Sequence, residues 1–461
     1  MIHVNPKEKT RKSSEVGKVR SYNEVVQYLD AHWEPSTSLQ AITQINNALG
    51  NIAETLDAIT IAGTNGKSIT QYFVIKLLQE EGIKVGAFFT PHFISYNERF
   101  TINQEAISNK QFTDIANEII GLCESEKIKT TTQDILTGMA LKYFKDNKVD
   151  VVIAENCTET YIDPITILQP KVSAITRIVT SKYHSVLEHD IIKSIMNTLP
   201  KDCHFVSADQ SKLNLQFMHT MAEEKGLEWH MPLRKLASLA YPYAQLHGRC
   251  AALAERISQL YIQNIVDNAS ITIQQSLLSK PKGQRGRPTI EAKRHAELHP
   301  KKTLEQFWQD VITALPCRFQ ILDKEKPNIL LDNAANLDAF TNLFLGIRLL
   351  HYHKPLKGLT LILGCKEKTI DEDEFIKLLR YFFKKTSGSV IFCELEKNSW
   401  DVEKIVNAAK NAKIKARSAT SFKEAFESAT KSVDEKNGLV VISGSQEIIS
   451  AYWHIKDTKK L

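Results

Sequence analysis

One stretch constrains this chain more than any other: "DAITIAGTNGKSITQYFVIKLLQEEG", residues 57–82. A short apolar run reads as a buried strand. It breaks at Gly-Thr-Asn-Gly, then restarts as an amphipathic helix that stops at Gly82. Strand, tight turn and helix start is the context a phosphate cradle needs. Backbone N–H groups converge at the turn, and the helix amino end adds its positive dipole end. Gly63, Thr64, Asn65, Gly66, Lys67 and Ser68 form the expected cradle. Lys67 would reach the outer phosphates and Ser68 would hold Mg²⁺. The strict G-x-x-x-x-G-K-[ST] pattern lacks its first glycine, since Ala62 stands just before Gly63. The alternative is an ordinary turn whose lysine faces solvent. The strand and helix on either side favour the cradle, so ATP and Mg²⁺ are the expected cofactors.

Around this loop, short apolar runs alternate with amphipathic ones. "SYNEVVQYLDAHW" reads as a helix capped by Ser21 with Glu24 at its third position. "KVGAFFT", "VDVVIAEN" and "KVSAITRIV" read as strands; "SNKQFTDIANEIIGLCESEK" and "TTQDILTGMALKYFKDNK" read as helices. The alternation restarts at "NILLDNA" and runs through "GLTLILG", "SGSVIFCE" and "GLVVIS", each followed by a helical pattern or a turn. The expected fold class is α/β: an amino-terminal P-loop domain with a mainly parallel sheet, then a smaller Rossmann-like α/β domain. The expected division is a loose tail over 1–20, an ATP-binding domain over 21–278, a basic linker over 279–303 and a second domain over 304–461. A chain of 461 residues is too long for one ordinary core.

Composition excludes more than it proposes. The seven cysteines form no C-x-x-C pair, so neither a zinc framework nor a disulfide scaffold is suggested, and reduced cytoplasmic thiols are expected. The amino terminus is basic without an apolar core, and no segment offers 18 uninterrupted apolar residues. No membrane partner is expected. A net charge of +6 over this length is a weak argument for nucleic acid and suits an anionic small substrate equally. "RGRP" at Arg285–Pro288 has the core of a minor-groove hook, but it stands alone in a polar linker.

Taken together with the strand and turn after its helix, the loop resembles the folylpolyglutamate synthase and dihydrofolate synthase family of ATP-dependent Mur-type ligases. The similarity runs from "ALGN" at Ala48–Asn51 through "ITIAGTNGKS" to "KVGAFFTPHFISYNERFTIN". There Thr90, Pro91, His92, Asn97, Glu98 and Arg99 fall into the family's T-S-P-H and N-E-R register. The resemblance implies a monomer that takes folate or dihydropteroate and L-glutamate. It also implies phosphorylation of a carboxylate by ATP, and amide formation from the acyl phosphate. It implies a metal held by Thr90, by Glu155 at the end of "VDVVIAE", and by His184 in "SKYHSVLEHD". A helix cap or solvent group is the other reading of Glu155, and a surface imidazole that of His184; His189 is a weaker candidate. Arg318 in "PCRFQ", with Asp332 and Asn336 in "DNAAN", matches nucleotide-side positions. Asp163 matches a substrate position, and so does Asp134, which reads equally well as a capping aspartate.

The resemblance is uneven. The family's glycine-rich stretch after the metal glutamate is "ENCTETYIDPIT" here, with Cys157, Thr158, Glu159 and Thr160 in place of glycines. The lysine that many members carbamylate has no aligned counterpart; Lys193 is the nearest. The family's G-x-H-Q-x-x-N-A becomes "LHGRC", with His247 covering part of it. The histidine of D-G-A-H-N is Ala335, Cys317 replaces the glycine of P-G-R-F, and Lys366 or Lys368 stands where a D-K-D run is expected. The nucleotide half is well kept, and the metal and closure half is altered. An active folate ligase and a repurposed ATP-binding relative are therefore both open.

Overall fold

The computed structural model describes residues 19–156, 162–181, 183, 186–209, 211–268, 303–311 and 315–458. Two sheets stand side by side. The first contains β1 (Ala58–Ala62), β2 (Val85–Phe88), β3 (Phe100–Ile102), β4 (Glu105–Ala106), β5 (Val151–Glu155), β6 (Pro170–Ile175), β7 (His204–Ser207) and β8 (Glu228–His230). Their order is β4-β3-β2-β5-β1-β6-β7-β8. All pairs from β2 to β8 are parallel; only β3 and β4 add as antiparallel strands at one edge.

The parallel centre follows from the composition of its strands. Both faces are covered, so β1 and β5 are apolar at nearly every position. Along β5, Val152 and Ala154 enter one core, while Val151 and Ile153 enter the core on the opposite face. The helix Lys67–Glu80 packs on the second face through Phe73, Val74, Leu77 and Leu78.

The second sheet contains β9 (Gln320–Leu322), β10 (Asn328–Asp332), β11 (Leu359–Leu363), β12 (Ser389–Cys393), β13 (Ala416–Ala419) and β14 (Leu439–Ser443), in the order β13-β12-β11-β14-β10-β9. It is parallel except for the β9–β10 pair. Leu330, Leu361 and Val441 pack on one face, and Ile329, Ile362 and Val440 on the other.

Two edges of the expected division differ. The helix Leu304–Asp310, grouped with the second unit in the sequence, buries Phe307 and Trp308 in the first sheet's core, where Trp308 donates to Glu255. Its apolar pair outweighs the breaker-rich stretch before it. Arg20, expected in a loose tail, exchanges backbone hydrogen bonds with the Asn117 side chain at 2.7 and 2.8 Å. No helix among the described residues is long and apolar enough to cross a membrane. The six described cysteines are free thiols. The basic stretch 279–302 lies outside the described residues.

Candidate active site

The carboxyl ends of both sheets face one cleft of about 1910 Å³. That is the expected location for a ligand on open parallel sheets. The loop Gly63–Ser68 closes β1 at its floor. Its glycines are required by geometry: Gly63 has φ +136° and Gly66 φ +89°. A Cβ at Gly63 would fall 2.0 Å from Thr176 Oγ1, and one at Gly66 would fall 3.1 Å from Cys250 Sγ. The next helix starts at Lys67 with no side-chain cap on its first turn. Its leading N–H groups are the donors a phosphate would take.

The loop is held against the strand beside it. Thr64 and Asn65 donate their backbone N–H groups to Arg177 O at 2.6 and 3.3 Å, and Thr176 Oγ1 donates to Asn65 O at 2.7 Å. The sequence pattern predicts a turn with all its amides aimed inward; these two are spoken for, so the helix end supplies the anion donors. Lys67 Nζ folds back to Gly63 O at 2.6 Å and lines the cleft.

Glu155 ends β5 beneath this floor and is 1% exposed. Thr90 N lies 3.4 Å from its Oε2, while Oε1 has no hydrogen-bond partner. Burial raises its pKa, and Lys67, Ser68 and Arg318 pull it back down. A buried carboxylate oxygen without a partner, on a side chain beside the Ser68 hydroxyl, is suited to a hard divalent cation. Thr90 Oγ1 accepts from Arg99 Nη1 at 3.4 Å. Arg99 Nε also donates to His92 Nδ1 at 2.9 Å, and burial and that guanidinium push His92 down to about 3.

The second sheet delivers its residues across the cleft. Arg318 Nη2 donates to Ser68 Oγ at 3.3 Å and lies over the Phe93 ring. Asp332, at the end of β10, accepts from Phe319 N at 2.8 Å, and burial pushes it up to about 6. Asn336 caps the helix Leu337–His353 and pairs reciprocally with Asn65 at 2.9 and 3.0 Å. Asn65 Nδ2 also reaches Asp338 at 2.8 Å. The Asn65 side chain is thus a tie between the two sheets' loops.

Other expected residues divide. Asp163 lines the cleft and caps the short helical turn at Pro164–Ile167. Asp134 does not line it: with Thr131 it closes a capping box on the helix Thr132–Asp146, and Gln133 takes the cleft wall instead. His184 and the stretch Cys157–Thr160 lie outside the described residues. His189 is exposed and stacks on Phe217. Lys366 lines the cleft; Lys368 and Lys193 do not.

Sequence reasoning missed Arg177. It spans Asp209 at 3.1 Å and Asp338 at 3.3 Å, joining the loop after β6 to the second domain. A charged residue two positions after an apolar parallel strand was the available signal. It also gave little weight to His247, which is 4% exposed on the cleft wall with Nδ1 unpartnered and its pKa pushed down to about 4 by burial and Arg318.

A family model described as Mur ligase, glutamate ligase domain, matches residues 317–446. Dihydrofolate synthase/folylpolyglutamate synthase of Bacillus subtilis is 26% identical over 312 residues, 65% of this chain and 69% of that one. The second domain thus matches the glutamate ligase domain of the Mur ligases, and the chain is similar over most of its length to folylpolyglutamate/dihydrofolate synthases. A probable folylpolyglutamate synthase of Saccharomyces cerevisiae is 24% identical over 382 residues, 76% of this chain and 82% of its own. Dihydrofolate synthetase of the same yeast is 34% identical, but the match spans only 25% of its length.

The family fold is present over the whole architecture. Mycobacterium tuberculosis folylpolyglutamate synthase, complexed with ADP, superposes with a TM-score of 0.74 at 19% identity, covering 95% of this chain and 98% of that one. The bifunctional Yersinia pestis synthase, complexed with AMPPNP and Mn ion, gives 0.71 at 20% identity, covering 97% and 100%. ATP-dependent amide ligation on folate-type substrates is the general activity of the folylpolyglutamate/dihydrofolate synthase family.

Proposed function

We propose that this chain adds L-glutamate to dihydropteroate or to a folate by way of an acyl phosphate, using ATP and Mg²⁺. The observation that carries the reading is the convergence on one cleft. An uncapped helix amino end with Lys67 lies on its floor, and Arg318 comes from the second domain to Ser68.

The steps balance simply. A carboxylate oxygen of the pteroate or folyl substrate attacks the γ-phosphorus, and ADP leaves. The glutamate amine then attacks the acyl carbon, loses a proton, and inorganic phosphate leaves. Lys67 and the helix end would hold the phosphates. Arg318, a planar fork of donors, suits the transferring phosphoryl group or the carboxylate it joins. Ser68, Thr90 and Glu155 would hold Mg²⁺, which supplies charge neutralisation at the phosphoryl oxygens when bound. Asp332 and Asn336 would meet the nucleoside side. Docking of the two domains would keep water from the acyl phosphate.

A second reading, a repurposed ATP-binding relative, is favoured by Asn65. Its side chain is engaged by Asn336 and Asp338 and is a structural tie as well as a loop residue. One experiment separates the two. The purified chain is incubated with ATP, Mg²⁺, glutamate and either dihydropteroate or tetrahydrofolate. Phosphate release that requires glutamate and matches amide product one for one supports the ligase. ATP binding without glutamate-dependent release supports the alternative.

A further inference from the structure

The outer edge of the first sheet carries a group of donors that the cleft does not use. β7 and β8 run parallel with His204 opposite Glu228 and Val206 opposite His230. Register partners on parallel strands share a face, and so do residues two apart on one strand. The pleat therefore puts His204, Glu228 and His230 on one side of the sheet, while Trp229 turns to the other. His204 and Glu228 are the first residues of their strands, and none of the three lines the cleft.

The donors are close, and the two imidazole nitrogens meet different oxygens of the Glu228 carboxylate. His204 Nδ1 lies 3.1 Å from His230 Nε2 and 3.1 Å from Glu228 Oε2. His230 Nε2 lies 3.4 Å from Glu228 Oε1. A tetrahedral ion with ligands at about 2.0–2.1 Å has donor–donor edges of about 3.3–3.4 Å. One ligand atom from each residue lies within 4.8 Å of the others, so small side-chain rotations bring the three onto one face of such a tetrahedron. The His204 and His230 side chains are 21% and 11% exposed, and that of Glu228 is 66% exposed, which leaves a solvent-side position for water. We propose that His204, Glu228 and His230 form a site for Zn²⁺ or a similar borderline cation. Two imidazoles and one carboxylate favour Zn²⁺, Ni²⁺ or Cu²⁺ over Mg²⁺.

One neighbouring charge opposes the ion. Arg256, on the helix Tyr243–Asn268, places Nη2 2.9 Å from His230 Nδ1. An arginine always donates. In the metal-free chain His230 Nδ1 therefore accepts, and the ring proton sits on Nε2, facing His204 and Glu228. The ion displaces that proton. The imidazole then carries its proton on Nδ1, and Arg256 turns away. The bound ion pins β8, the edge strand among the described residues, to β7.

The test uses the full chain without a histidine tag, stripped with a chelator and titrated with Zn²⁺ against a chromophoric indicator. The expected result is one tight equivalent per chain, with Co²⁺ giving the intense visible bands of four-coordinate geometry. His204→Gln and His230→Ala should each weaken binding by more than the roughly 10–100-fold typical of losing an outer-shell partner. Glu228→Gln, nearly isosteric, should weaken it with the thermal transition of the metal-free chain unchanged. Arg256→Gln should tighten it. Absence of a Zn²⁺ equivalent in the wild type overturns the proposal. So does equal binding by Glu228→Gln, or weaker binding by Arg256→Gln.

Discussion

Gly63→Ala is the perturbation whose consequence comes most directly from the geometry. The added methyl carbon would stand 2.0 Å from Thr176 Oγ1 and 3.1 Å from both Arg177 N and Arg177 O. The backbone atoms have little room to yield, so Thr176 must move. Thr176 Oγ1 holds the loop through Asn65 O at 2.7 Å and Ala62 O at 3.1 Å. Overpacking costs about 1–3 kcal/mol, a displaced hydrogen bond about 0.5–1.5 kcal/mol, and a non-glycine residue at φ +136° about 1–3 kcal/mol. The sum is about 2.5–7.5 kcal/mol, against about 5–15 kcal/mol for a whole domain. Urea unfolding should show a large fall in midpoint, and calorimetric titration should show ATP binding lost. Thr176→Ala in the same chain removes the closest clashing atom but leaves the backbone strain. The double variant should therefore be more stable than additivity predicts, by roughly 1–2 kcal/mol. Wild-type ATP affinity in Gly63→Ala, or strict additivity in the cycle, would refute the reasoning.

The same cleft gives three further outcomes. Glu155 titrates above its ordinary 4.5, so the folded chain keeps a proton the unfolded chain has released, and its contribution to stability falls as pH rises through that window. Glu155→Gln should raise the neutral-pH urea midpoint while lowering turnover by roughly 10²–10³-fold, measured by phosphate release. Asp332, pushed from 3.8 up to about 6, acts with the same sign, and Asp332→Asn should flatten the fall in stability between pH 4 and 6. Asn336→Ala removes a helix cap worth about 1 kcal/mol and the tie to Asn65, so small-angle scattering should report a more open chain.

Much of this fold was legible because its determinants are local. The apolar runs of β1 and β5 identify covered strands, and the glycines at Gly63 and Gly66 mark a turn that only glycine fits. The misread parts have two sources. Some local chemistry was weighed against a resemblance: Thr131 and Asp134 already carry a capping-box spacing, which is how the structure uses them. Other features depend on pairs far apart in the chain. Arg177 meets Asp209 across 32 positions and Asp338 across 161. His204 and His230 meet only because β8 takes its register on β7. The breakers ahead of the helix at Leu304 group it with the second domain, whereas Phe307 and Trp308 decide where it packs.

The central claim is that ATP activates a carboxylate in this cleft, and isotope transfer tests it most directly. The chain is given ATP, Mg²⁺, glutamate and dihydropteroate or folate labelled with ¹⁸O in the carboxylate to be joined. An acyl phosphate carries one of those oxygens to phosphorus, so the account predicts one ¹⁸O in the released inorganic phosphate, an amide product in equal amount, and loss of both in Lys67→Ala. Phosphate free of ¹⁸O, or released at the same rate without glutamate, would contradict it.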